Sequence, residues 1–183
     1  MKETIQTIAN EVKDVAGQVD PGQIRGLAQH VSKTGRIFIT GTGRSGLAGK
    51  MFAMRLMHIG YQAYVVGETI TPSIEENDLL VVISGSGNTK TLSHYVSKAK
   101  EAEATVALVT TDPESLIGQT ADLTVEVPAV TKKTTGQRNT IQPLGSQFDQ
   151  SVHLLLDALI VYLINNYTGS EMSSLTKKHA NLE

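Results

Sequence analysis

Five consecutive apolar residues, Leu79-Leu80-Val81-Val82-Ile83, run directly into Ser84-Gly85-Ser86-Gly87-Asn88-Thr89. A strand that is apolar on both faces needs cover on both faces, so it belongs in a parallel sheet between helical layers. The rest of the chain fits that demand. Arg36–Thr40, Ala63–Val66, Thr105–Thr110 and Leu123–Val127 read as further short strands. Helical periodicity separates them, with Leu47, Met51, Met54 and Met57 or His58 in one stretch and Thr89–Ala102 in another. Ile5, Ile8, Val12, Val15 and Val19 predict an amphipathic helix before the first strand. Asp20-Pro21, an N-cap followed by proline at the first helical position, predicts a second one carrying Ile24, Leu27, Ala28 and Val31. A short helix is expected after Asp112-Pro113. Leu144–Tyr162 reads as a long helix, apolar on most sides and therefore buried, in part against another subunit. The predicted fold is α/β, a single-domain three-layer sandwich with a five-stranded parallel sheet.

The abrupt change at Ser84 is also the strongest chemical signal. Gly85 and Gly87 let the backbone turn sharply and approach a ligand. Ser84, Ser86 and Thr89 offer hydroxyls, and the following helix turns free N–H groups and a partial positive charge toward the loop. These are the parts of a phosphate cradle; an ordinary strand-to-helix turn with a Ser/Thr cap is the plainer alternative. A second loop, Gly41-Thr42-Gly43-Arg44-Ser45-Gly46, matches the G-x-G-x-x-G pattern of dinucleotide sites. Glu68 falls where a ribose-binding acid would sit. Three features favour a compact phosphorylated ligand instead. The chain leaves little room for a separate substrate region, Arg44 and Ser45 add polar donors, and two polar glycine loops are present rather than one.

Composition removes other classes. With no cysteine in 183 residues there are no disulfides, thiolate metal sites or cysteine nucleophiles. A net charge of −2 gives no reason to expect nucleic acid or an anionic membrane as partner. Met1–Ala16 mixes Lys2, Glu3, Glu11, Lys13 and Asp14 among apolar residues, unlike a signal peptide. Leu154–Ile164 is too short to span a membrane and contains Asp157. A soluble cytoplasmic protein is expected, one unit over residues 1–183 with N-terminal helices at 2–33, an α/β core at 36–166 and a polar tail at 169–183. Thr131–Thr140, with Lys132, Lys133, Gly136 and Arg138 and no apolar residue, reads as an exposed loop. His30, His58, His94 and His153 show no ligand-like spacing, so no metal is assigned.

Taken together these residues resemble the SIS (sugar isomerase) domain family, and within it the 6-phospho-3-hexuloisomerases. The resemblance covers nearly the whole chain. It is carried by Gly43-Arg44-Ser45-Gly46, Phe52-Ala53-Met54-Arg55-Leu56-Met57-His58, Tyr64-Val65-Val66-Gly67-Glu68-Thr69 and Ser84–Thr89. It continues in Ile141-Gln142-Pro143-Leu144-Gly145-Ser146 and in the terminal His179-Ala180-Asn181-Leu182-Glu183. The resemblance implies a five-stranded parallel sheet of flavodoxin-like, nucleotide-binding-like topology, assembled as a homotetramer with sites near subunit interfaces. It implies interconversion of D-arabino-hex-3-ulose 6-phosphate and D-fructose 6-phosphate in the ribulose monophosphate pathway, with no cofactor and no metal. A non-catalytic phosphosugar-binding module and an isomerase of another sugar phosphate stand as alternatives.

Moving a carbonyl from C3 to C2 removes a proton from C2 and returns one to C3 through an enediol. The resemblance implies Asp149 as the base and His179 as a second group that moves protons between substrate oxygens, on its own or a neighbouring subunit. It implies Ser45, Ser84, Gly85, Ser86, Gly87, Asn88, Thr89, Gly43 and Arg44 for phosphate and substrate. Ser45 has sugar hydroxyls as its alternative partner, and Arg44 an acid such as Glu68. Two positions depart from the family pattern, Asp149 and Asn88, where relatives carry glutamate. Asp149 falls at a helix start, which favours its charged form and weakens it as a base.

Overall fold

The computed structural model describes residues 1–130 and 140–169. The expectations for Thr131–Thr140 (apart from Thr140), for residues 170–183 of the tail and for His179 lie outside them. The elements run α1 (Lys2–Ala16), α2 (Pro21–Lys33), β1 (Arg36–Gly41), α3 (Arg44–His58), β2 (Gln62–Val65), β3 (Leu79–Ile83), α4 (Lys90–Glu101), β4 (Thr105–Thr110), β5 (Leu123–Glu126) and α5 (Ser146–Leu163). One π turn, Ile164–Thr168, follows α5. Asp20 caps α2 as predicted, its carboxylate accepting from the Gly22 N–H at 2.7 Å.

All five strands are parallel, in the order β2-β1-β3-β4-β5. The period-two alternation hidden in the apolar strands sorts their side chains into two cores. Ile37, Ile39, Leu79, Val81, Ile83, Ala107 and Val109 pack on one face with Leu27, Phe52, Leu56, Phe148 and Leu156 of the helices. Phe38, Leu80, Val82, Val106 and Leu108 pack on the other with Leu92, Val96 and Ala99 of α4 and with Ile117. The structure is therefore the expected three-layer sandwich.

Two elements differ from expectation. Asp112–Thr120 makes a series of turns rather than a short helix. Side chains take bonds that a helix would give to its backbone: the Gly118 N–H donates to Ser115 Oγ, and Gln119 Nε2 donates to the Glu114 carbonyl. The long helix begins at Ser146, not Leu144, because Leu144 has φ of +57°, outside the right-handed helical region. With its π turn it is long enough to cross a membrane, yet Phe148, Val152, Leu156, Leu159 and Leu163 are buried in the protein core. Its outer face is not buried, since Leu154 and Val161 stay more than half exposed.

Candidate functional site at the carboxyl edge of the sheet

β1 leads through α3 to β2 on one side, and β3 leads through α4 to β4 on the other. Gly41 and Ile83, the last residues of β1 and β3, sit side by side in register. The chain reverses its winding direction at this point, which opens a crevice beyond the carboxyl ends of the two strands. The two glycine loops flank that crevice. Contact between Gly41 and Gly46 keeps the first loop tight: a Cβ on Gly46 would lie 2.7 Å from the Gly41 carbonyl oxygen. Neither position has room for a side chain, so α3 starts hard against the end of β1.

A cavity of about 590 Å³ occupies the crevice. Its lining brings together Gly43, Arg44 and Ser45 from the first loop, Ser84, Gly85, Ser86 and Thr89 from the second, and Asp149 from α5. The N-termini of α3, α4 and α5 all contribute to this wall, so three sets of unpaired helix N–H groups favour an anion there. Among the described residues the hydroxyls of Ser45 and Thr89 make no hydrogen bond and are available to a ligand.

Gly87 and Asn88 do not line the cavity. The Asn88 amide is spent on the protein, donating to the Ser86 carbonyl at 2.6 Å and accepting from the Leu116 N–H at 3.0 Å. Gly87 has φ of +58°, and a Cβ there would fall 1.8 Å from Ser115 Oγ. Its N–H donates to Ser84, and its carbonyl accepts from the Ile117 N–H. Both residues dock the loop onto the 112–118 turns, which fixes Ser84 and Ser86 in the cavity wall.

Asp149 lies in the first turn of α5. Its Oδ2 is 3.4 Å from Arg44 Nε, while its Oδ1 is buried with no hydrogen-bond partner among the described residues. Burial pushes the carboxyl above the ordinary aspartate range, against the opposing pull of the Arg44 charge and of a backbone hydrogen bond. Desolvation thus outweighs both the Arg44 charge and that backbone hydrogen bond. Arg44 also donates from Nη1 to Ser146 Oγ at 3.1 Å. Its acidic partner is Asp149 and not Glu68, which instead accepts from Lys50 Nζ at 2.6 Å. Glu68 does not reach the cavity, so the acid that a dinucleotide reading needs is missing from the site.

Thr42, Leu144, Gly145 and Phe148 also line the cavity, although motif reasoning did not select them. Leu144 and Gly145 lie just before α5 and Phe148 next to Asp149 in its first turn, and that closeness in sequence to a candidate base was the available signal.

Against known protein families, residues 30–153 match the SIS domain. The chain belongs to the SIS domain family. It is 43% identical over 182 residues to the 3-hexulose-6-phosphate isomerase of Bacillus subtilis, covering 99% of this chain and 98% of that one. It is 41% identical over 179 residues to the 3-hexulose-6-phosphate isomerase of Mycobacterium gastri, covering 98% and 89%. Among solved structures it superposes with a TM-score of 0.86, at 32% identity and 99% coverage of both chains, on a Methanococcus jannaschii protein. The description of that structure infers a molecular function of 3-hexulose-6-phosphate isomerase. These relatives extend the SIS likeness well beyond the matched domain, into α1, α2 and the segment after α5.

The Arg44–Asp149 contact makes a prediction for any reaction in which Asp149 acts as base. The active form is the carboxylate, so kcat/KM rises as pH rises through the Asp149 pKa. Because burial raises that pKa, the acid limb is expected above the ordinary aspartate range. Arg44→Gln removes the charge that holds it down, and the limb is expected to move to higher pH. A pH–rate profile of both proteins checks this; an unmoved limb would show that Arg44 does not tune Asp149.

Proposed function

We propose that this SIS protein is a 3-hexulose-6-phosphate isomerase, interconverting D-arabino-hex-3-ulose 6-phosphate and D-fructose 6-phosphate. The observation that carries the proposal is Asp149, a partly buried carboxylate with one buried oxygen that has no partner among the described residues. It faces the same cavity as a hydroxyl-rich phosphate-type loop. The named relatives at 41–43% identity support the same substrate. In this reading Ser84, Ser86, Thr89 and Ser45, with loop N–H groups and the ends of α3 and α4, hold the phosphate. The sugar then extends toward α5. Asp149 takes the C2 proton, the 2,3-enediol forms, and the same carboxylic acid returns a proton to C3. A single base suffices because, from one face of the planar enediol, it reaches both C2 and C3. Arg44, paired with Asp149, places a positive charge near the oxygens on which negative charge develops.

His179 completes the proposal as the group that carries the proton between O2 and O3, a task suited to near-neutral imidazole. We propose a cytoplasmic homotetramer in which sites lie near subunit contacts, with residues 1–183 acting as one unit. Leu47, Met51 and Met54 on α3 and Leu154 and Val161 on α5 are each more than two-fifths exposed, and these helices pack on each other. An apolar face of this kind favours burial between subunits.

The test is turnover. Purified protein mixed with hex-3-ulose 6-phosphate is expected to release fructose 6-phosphate, measured in a coupled assay beside a panel of other ketose and aldose phosphates. No product at high enzyme concentration, or faster conversion of another sugar phosphate, would overturn the assignment.

A further inference from the structure

Glu11 lies on α1, far in sequence from the cavity, yet it is wired to the segment that leads into α5. Its Oε2 accepts from Thr140 Oγ1 at 2.5 Å and from Gln142 Nε2 at 2.9 Å. Its Oε1 accepts from the Ile141 N–H at 2.8 Å. Three consecutive residues thus donate to one carboxylate. Burial acts to raise the Glu11 pKa, but these donors outweigh it and hold the group below the ordinary glutamate range, ionised at neutral pH.

The clamp has few substitutes. Gln142 is only 4% exposed and its Oε1 has no partner, so among the described residues its side chain is held by Glu11 alone. Two residues on, Leu144 adopts φ of +57° while the residue is 58% exposed. Burial therefore does not hold this strained turn, and a left-handed leucine persists only where its surroundings over-determine it. Leu144 and Gly145 wall the cavity, and Ser146 starts the helix that carries Asp149. On the other side, Val12 and Val15 are the buried residues that seat α1.

We propose that Glu11 is a positioning residue for the site. Its carboxylate fixes Thr140–Gln142, and through them the Leu144–Gly145 turn and the start of α5, so that Asp149 meets the substrate in one geometry. The catalytic part of this proposal rests on the isomerase reading above; the structural part does not.

Glu11→Gln keeps the side-chain length and one acceptor, but turns an amide donor toward the donors of Thr140 and Gln142. The expected result is a kcat lower by about tenfold, from misplacement of the base, with KM within about twofold because both phosphate loops are untouched. Backbone amide exchange is expected to accelerate across residues 140–149 and to stay unchanged across 84–90. Unchanged kcat with unchanged exchange at 140–149 would overturn the proposal. So would exchange accelerated equally at 84–90 with kcat and KM both impaired, which marks a general structural role. If the unaltered protein shows no turnover of hex-3-ulose 6-phosphate, the isomerase reading fails, and the exchange contrast alone decides the clamp.

Discussion

Asp149→Asn is expected to lower kcat by about a thousandfold, the scale of a general base removed from a proton abstraction. The amide keeps the shape of the carboxylate, so fructose 6-phosphate should still bind within a few-fold of the unaltered affinity. Stability makes the prediction sharper. A carboxyl whose folded-state pKa is raised contributes stability below its unfolded-state pKa and loses it as pH rises through the folded value. Above the folded value the ionised Asp149 is therefore a cost to the fold, and the asparagine variant is expected to unfold no earlier than the parent. Steady-state kinetics, calorimetric binding and a thermal melt at pH 7 check the three parts together. Lost binding or a lower Tm would identify Asp149 as a structural residue of the α5 start.

Gly87→Ala carries the second large effect, and it acts on the fold and the site at once. The left-handed φ of +58° costs an alanine about 1 kcal/mol. The new methyl would also overlap Ser115, whose Oγ lies 1.8 Å and whose Cβ lies 2.4 Å from the Cβ position. Ser115 is buried and cannot swing clear. Overpacking of this kind adds about 2 kcal/mol, for a loss of about 3 kcal/mol in all. In a chain of this size that corresponds to a Tm lower by roughly 6–12 °C. Relief of the overlap must push the 84–89 loop off the 112–118 turns, which moves Ser84 and Ser86. Phosphosugar affinity is expected to fall with stability. A variant that melts like the parent and binds phosphosugar equally well would show that this loop contact does not set the site.

The strands and the two loops were legible because their signals are local. An all-apolar run followed by Ser84-Gly85-Ser86-Gly87 reads as strand and cradle without knowledge of any neighbour. The acid in the first turn of α5 was legible for the same reason. What escaped were pairings made by topology. Glu11 meets Thr140 across 129 residues, and Arg44 meets Ser146 across 102; no periodicity encodes such distances. Arg44 carried two possible partners in the sequence, and only the crossing of α3 by α5 selects Asp149. Asn88 was expected at the site from the family resemblance, and its side chain donates to the Ser86 carbonyl and accepts from the Leu116 N–H, pairings that the loop sequence does not announce. Those turns were expected as a helix because side-chain competition from Ser115 and Gln119 for backbone groups is invisible to propensity. Leu144 shows the same limit, since nothing in its residue type announces a left-handed backbone.

The central claim, that Asp149 at the β1–β3 crevice drives a 2,3-enediol isomerisation, is tested most directly by hydrogen exchange at carbon. Fructose 6-phosphate incubated with the protein in deuterium oxide and recovered for NMR should carry deuterium at C3 and keep both hydrogens at C1, and the Asp149→Asn protein should leave C3 unlabelled while still binding the sugar. Label at C1 instead of C3, or equal labelling of C3 by the asparagine variant, would contradict the account.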